Sequence, residues 1–216
     1  MYLTRMELDI KNRNTMKLLQ SRSKIHGVVE SALREDKNRT RKLWRLDKLQ
    51  ERLYLLILSE EKPDLKDAVE SYGKKTAGFE IKDYTPLLNK IRRDSRWHFR
   101  LVANPTKSIF IPDKDKRGKV VACISTAQQE DWLYTRAEKN GFLLNREEFR
   151  TVGNDWHFFN KKQEGTSRVS LQETAYEGLL TVSDEEKFKM LLCNGIGRGK
   201  AYGMGLLTVM GFSGAS

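Results

Sequence analysis

KLWRLDKLQERLYLLILSE, residues 42–60, resembles two strands around a turn, although its lysines, arginines and leucines are also compatible with a helix. The flanking segments set the context. YLTRMELDI, residues 2–10, alternates apolar and polar side chains, the period of a strand packed on one face. From Asn14 to about Glu35, Leu18, Ile25, Val28, Val29, Ala32 and Leu33 recur at three- and four-residue intervals. That spacing predicts one amphipathic helix, with Asn14 or Thr15 as its N-cap. On the other side, DLKDAVESYG, residues 64–73, reads as a short helix stopped by Gly73, and GFEIKDY, residues 78–84, as a strand. With two strands at residues 42–60 the order is strand, helix, strand, strand, helix, strand. This is the ferredoxin-like pattern, shared with a common single-stranded-RNA-binding sheet.

The order repeats beyond the connection TPLLNKIRRDS, residues 85–95. RWHFRLVA, residues 96–103, sets Trp97, Phe99 and Leu101 on one side of a strand and Arg96, His98 and Arg100 on the other. A loop is expected at Asn104-Pro105. STAQQEDWLYTRAEKNG, residues 125–141, reads as a helix capped by Ser125 or Thr126 and ended by Gly141. TVGNDWHFFNKK, residues 151–162, and SRVSLQETAYEGLLTV, residues 167–182, are long strands joined across QEGT as a hairpin. A helix from Ser183 to Cys193, a glycine-rich loop and the strand MGLLTVMGF, residues 204–212, complete the second unit. The reading is an α+β chain of two tandem ferredoxin-like domains, residues 1–90 and 91–216.

Of the 216 residues, 40 are Lys or Arg and 29 Asp or Glu, a formal charge of +11 that favours polyanionic partners, nucleic acid first. Cys123 and Cys193 form no CxxC pair and read as free thiols. MYLTRMELDI lacks the basic-then-apolar order of a secretory signal, and no window reaches the roughly 18 apolar residues of a membrane span. A cytoplasmic protein with no membrane contact is expected. His26, His98 and His157 are scattered, with no metal-ligand spacing, so neither a metal nor another cofactor is expected.

GIGRGKAYGMGLL, residues 195–207, resembles a phosphate loop only at first sight. It runs from helix to strand, the reverse of a dinucleotide fingerprint, and Ala201 follows Lys200 where a P-loop needs Ser or Thr. Gly195, Gly197, Gly199, Gly203 and Gly205 either permit tight turns or join Arg198 and Lys200 in a phosphate-binding rim. Lys161, Lys162 and Arg168 put three more cations around the hairpin tip. His26 lies on the first helix at the edge of its apolar face, with Arg22, Lys24 and Glu30 around it. An imidazole there is suited to proton transfer near neutral pH.

Taken together, MYLT at the start, LWRL at Leu43, FRLVANPTKS at Phe99, YEGLLTV at Tyr176 and GIGRGKAYGMGLLTV at Gly195 resemble the CasE-type CRISPR repeat endoribonucleases. The resemblance spans almost the whole chain, and the glycine loop is its most specific part. It implies tandem ferredoxin-like domains and a subunit of the Cascade complex that binds the CRISPR repeat hairpin and cuts the precursor transcript. It further implies metal-independent cleavage by 2′-hydroxyl attack, leaving a 2′,3′-cyclic phosphate and a 5′-hydroxyl. The family places its histidine where His26 falls. Ser23 stands where a tyrosine is frequent, so Ser23 and Lys24 join His26 as candidate catalytic residues. In the RLxANPxK element Val102 occupies a position that is often arginine, while Arg100 and Lys107 remain as candidate RNA contacts with Arg22 and the cations of the hairpin and the glycine loop. The alternative reading is a non-catalytic structured-RNA-binding subunit of a ribonucleoprotein complex.

Overall fold

A computed structural model of the chain describes residues 1–33, 40–109, 118–160 and 168–212. Two compact units emerge: Met1–Lys90 with Lys200–Leu206, and Ile91–Gly199 with Leu207–Ser216. The expected boundary at residues 90 and 91 leaves residues 200–206 in the second domain, whereas they pack with the first unit.

The first unit starts with β1 (Tyr2–Leu8), followed by α1 (Arg13–Leu19) and α2 (Arg22–Ser31). The expected single helix is therefore two. Ser21 is extended, at φ −142° and ψ 109°; its amide donates to the Leu18 carbonyl while its own carbonyl accepts from Lys24 and Ile25. Ser21 thus closes one helix and opens the next, a break that apolar spacing does not register. The first cap also differs. Asn12, not Asn14 or Thr15, accepts the Asn14 amide at 2.8 Å, and the buried Thr15 hydroxyl donates to the Tyr72 carbonyl.

Residues 42–60 are strands, β2 (Leu43–Leu49) and β3 (Arg52–Ser59), turning through Gln50 at φ 55°. α3 (Lys66–Tyr72) ends at Gly73, where a Cβ would stand 2.7 Å from the Val69 backbone. β4 (Phe79–Asp83) and the single turn α4 (Thr85–Leu88) follow. The sheet order is β2-β3-β1-β4, every pair antiparallel. Met6, Leu8, Trp44, Leu55 and Ile57 from the sheet meet Leu18, Ile25, Val29, Leu65 and Val69 from the helices in one core. Burial of each larger side chain contributes about 1.5–3 kcal/mol, which fixes the register because a one-residue slip turns the apolar set outward.

The second unit repeats the scheme with insertions. β5 (Arg96–Ala103) buries Trp97, Phe99 and Leu101 and exposes Arg96 and His98, as its alternation requires. A hairpin of β6 (Thr106–Ile109) and β7 (Lys119–Ala122) stands where a loop is expected after Pro105. Each strand has only four residues, too few for alternation to stand out. α5 (Thr126–Ala137) is capped by the Ser125 hydroxyl, which accepts from the Gln128 amide. β8 (Phe142–Leu143), β9 (Phe149–Asn160), β10 (Arg168–Val182), α6 (Glu185–Asn194) and β11 (Leu207–Gly211) complete it. Its order is β11-β5-β10-β8, with β9 also paired to β10. With the β8/β9 segment as second strand, both sheets follow the fourth-first-third-second order. The chain is an α+β protein of two tandem ferredoxin-like folds.

Candidate functional site

In the first unit the candidate catalytic residues sit on α2. Ile25 and Val29 point into the core, which leaves Ser23, Lys24 and Glu30 on the exposed side and His26 at the margin. The His26 side chain is 37 % exposed and its Nδ1 lies 3.9 Å from Glu30 Oε1, too long for a hydrogen bond. Among the described residues that shielded Nδ1 has no hydrogen-bond partner. Glu30 is engaged instead by the nearly buried Lys42 ammonium at 3.1 Å. Arg22 places its guanidinium over the Trp44 ring, 5.9 Å from the centroid.

The glycine segment enters this unit directly. All five glycines have positive φ, from 68° at Gly195 to 91° at Gly205. Gly203, at φ 85°, is packed so closely that an added Cβ would stand 2.6 Å from Trp44 Cζ3. The 3-10 turn Lys200–Tyr202 lies against α2 and β2. Arg45 secures the end of the loop: buried on β2, it makes a fork to Asp47 with contacts of 2.8 and 2.7 Å and donates from Nη1 to the Leu206 carbonyl at 2.8 Å. A bidentate, charge-assisted pair of this kind holds both partners to one geometry. Lys200 is half-buried; loss of water and the nearby Arg41 charge push its ammonium pKa below the ordinary lysine value. The loop thus uses glycine for close approach and brings Lys200 into the unit that carries His26.

The remaining candidate contacts lie in the second unit. Asn104 and Arg198 form an isolated antiparallel bridge, so the ANP element and the start of the glycine loop meet in space. Beside them Gly197, at φ 78°, faces Trp132, with room for a Cβ only at 3.0 Å. Arg198 is exposed. Arg100 is ion-paired to Glu177 across the β5–β10 ladder, and Lys107 is exposed on β6. Val102 is buried, so that position serves the core. Lys161 and Lys162 lie outside the described residues; Arg168 starts β10 opposite Asn160. Of the other histidines, His98 meets the edge of Phe212 at 5.3 Å and His157 Nε2 pairs with Glu173 at 2.8 Å. Among the described residues no group of three His, Cys, Asp or Glu is placed to hold a metal ion.

Trp44, Arg45 and Asp47 hold the loop, a role that the sequence, although LWRL stands out in it, does not assign to them. One signal was present: in LWRLD, Leu43, Arg45 and Asp47 share a strand face, so two opposite charges alternate with the apolar position that buries that face.

A family model described as CRISPR associated protein matches residues 1–210. The chain belongs to that family. It is 30% identical over 220 residues to the CRISPR-associated endoribonuclease Cse3 of Thermus thermophilus, covering 97% of this chain and 99% of that protein. A 32% match over 118 residues, 52% of this chain and 56% of the relative, links it to the CRISPR system Cascade subunit CasE of Escherichia coli. Among solved structures, the endoribonuclease Cse3 bound to a 19-nucleotide RNA superposes with a TM-score of 0.81 at 28% identity, over 97% of this chain and 100% of that one. Among the described residues of this chain no helix is long and apolar enough to cross a membrane.

Proposed function

We propose that the protein is a CRISPR repeat endoribonuclease: it binds the repeat hairpin and cleaves the precursor RNA through attack of a 2′-hydroxyl, in the cytoplasm and together with other Cascade subunits. The observation that carries this reading is the Lys200–Tyr202 turn packed on α2, the helix that holds His26, within one unit. The full-length likeness to an endoribonuclease supports it.

The chemistry needs little from the protein. The 2′-oxygen attacks the adjacent phosphorus, the P–O5′ bond breaks, the 2′-hydroxyl proton leaves and a proton reaches the 5′-oxygen. Products are a 2′,3′-cyclic phosphate and a 5′-hydroxyl. Because the nucleophile belongs to the RNA, catalysis reduces to in-line placement, proton transfer and stabilisation of charge on the phosphate oxygens. His26, half-exposed at the helix margin, moves one of these protons. Lys24 and Lys200 offer cations from the same unit to the developing charge, and Ser23 adds a hydroxyl on the exposed turn before His26. Arg22 is held by Trp44 beside them. In the second unit Arg198, Lys107 and the hairpin cations Lys161, Lys162 and Arg168 supply phosphate contacts; Arg100, already paired with Glu177, contributes after exchanging that partner.

His26→Ala tests the reading. Cleavage of a labelled repeat hairpin should slow by about 100-fold or more, the scale of one general acid or base, with hairpin affinity nearly unchanged. Wild-type cleavage should persist in excess EDTA, and an RNA with a 2′-deoxy sugar before the cut should stay whole. Cleavage by His26→Ala at the wild-type rate, or of the deoxy substrate by wild type, refutes the mechanism.

A further inference from the structure

The last turn of α2 carries a carboxylate that neither the helix nor RNA binding calls for. Glu30 is the penultimate residue of Arg22–Ser31, at the negative end of the helix dipole, where a cation is favoured over an anion. In a chain of formal charge +11, a half-exposed carboxylate one turn from His26 also repels the phosphates that the other charges attract. Its two oxygens face two groups. Oε2 accepts from the Lys42 ammonium at 3.1 Å, on a side chain only 8 % exposed, while Oε1 stands 3.9 Å from His26 Nδ1. Among the described residues no other acidic side chain comes within ion-pair distance of His26. The other charged groups of its helix, Arg22 and Lys24, are cations, as is Lys200 on the turn packed against α2.

The imidazole itself shows why such a group is useful. Nδ1 has almost no surface and, among the described residues, no hydrogen-bond partner, although the side chain as a whole is 37 % exposed. The exposure therefore belongs to the rest of the ring, whose second nitrogen is Nε2, and a proton exchanged with RNA has to pass through Nε2. In the neutral ring Nε2 accepts a proton only while the ring hydrogen sits on Nδ1. Water favours the opposite tautomer, so the hydrogen has to be held on Nδ1 by an acceptor there. Glu30 Oε1 is the acceptor within reach. Shortening the 3.9 Å separation to the roughly 2.7–3.2 Å of an N–H···O bond takes a small side-chain rotation, of the kind that bound substrate completes in catalytic hydrogen bonds. Once Nε2 has taken a proton, the same bond steadies the imidazolium. Lys42 meanwhile holds the other oxygen and offsets the charge that Glu30 presents to RNA.

We propose that Glu30 is a positioning residue for His26: its carboxylate, held by Lys42, accepts the Nδ1 hydrogen and so presents Nε2 to the RNA as the atom that moves the proton. The assignment rests on the proposed function and on His26 as its proton-transfer group.

The test uses the full-length protein with a labelled repeat hairpin in single-turnover cleavage at saturating protein, and the same hairpin with a 2′-deoxy sugar at the cut for affinity and spectra. Glu30→Ala should slow cleavage by about 10-fold or more, a share of the roughly 10²–10⁴-fold that a positioned acid or base supplies. Its Kd for the deoxy hairpin should stay level or fall, because a negative charge beside a polyanion has been removed. In the His26→Ala background the same substitution should leave the residual rate unchanged, since it acts through the imidazole. Nitrogen NMR of His26 in the deoxy complex, at a pH where the ring is neutral, should find the hydrogen on Nδ1 in wild type and on Nε2 in Glu30→Ala. Wild-type cleavage by Glu30→Ala, the same loss with and without His26, or one tautomer in both proteins overturns the proposal. So does a rise in Kd large enough to account for the lost cleavage, which would make Glu30 a binding residue. If His26→Ala alone cuts like wild type, the proposed mechanism fails; if His26→Ala is slow and Glu30→Ala is not, only this inference fails.

Discussion

Replacing Gly203 by alanine adds one methyl group where the structure has no room for it. The backbone there is left-handed, at φ 85°, which costs an L-residue roughly 1–2 kcal/mol. The new Cβ would stand 2.6 Å from Trp44 Cζ3 and 2.9 Å from Cε3 and Cη2. Trp44 cannot yield easily, since it is fully buried in the core of the first unit, with Arg22 over its ring. Overpacking of this kind typically adds 1–3 kcal/mol, so Gly203→Ala should destabilise the first unit by about 2–5 kcal/mol. For a chain of this size that lowers Tm by about 4–20 °C, measured by circular dichroism or calorimetry. Gly27→Ala is the matched control. Gly27 lies within α2 with nothing within 4 Å of its would-be Cβ, so the same methyl group should stabilise by about 0.5–1 kcal/mol. A second check is coupling: Trp44→Phe removes part of the ring that the methyl strikes, so the double variant should be less destabilised than the two single effects added. A Gly203→Ala protein that melts with wild type, or effects of Gly203→Ala and Gly27→Ala with the same sign, would refute the packing of the loop on Trp44.

Two further predictions concern buried polar groups. Arg45→Met leaves the Asp47 carboxylate buried without its fork and should cost about 3–5 kcal/mol in urea denaturation, while Arg45→Met with Asp47→Leu should recover much of the loss; equal stability of the two variants would contradict the ion-pair account. Burial pushes the Tyr176 hydroxyl, which donates to the Gln129 carbonyl at 2.9 Å, well above the usual phenol range. The unfolded chain releases this proton near pH 10 while the folded chain keeps it. Tyr176 therefore leaves stability unchanged below that pH and lowers it as pH rises beyond. Tyr176→Phe should cost about 1 kcal/mol at neutral pH and show a shallower alkaline loss; an alkaline slope equal to wild type would remove Tyr176 as its source.

Much of the architecture was written in local pattern. Alternation in YLTRMEL and RWHFRLVA, three-and-four spacing in the helices, and stop signals at Gly73 and Gly141 are short-range consequences of backbone period and glycine conformation, so they are legible without a fold. Local spacing placed His26 on its helix, where the family resemblance singled it out, and the order of helix, glycines and strand set the glycine loop apart from a phosphate loop, because helix period and element order are read from neighbours in sequence. What it merged was the α1–α2 helix, since the break at Ser21 leaves the apolar spacing intact. What it could not reach was any partnership between distant residues. That the turn at Lys200 packs on α2, that Gly203 abuts Trp44, and that Arg45 reaches the Leu206 carbonyl all depend on contacts between positions far apart in the chain. Sequence determined most of the strands and helices and which of them carry an imidazole, a cation or a run of glycines. Tertiary structure alone decided which of them share a unit, because a loop that returns to a distant helix is held by close packing and a buried ion pair, and neither leaves a periodic trace in the chain.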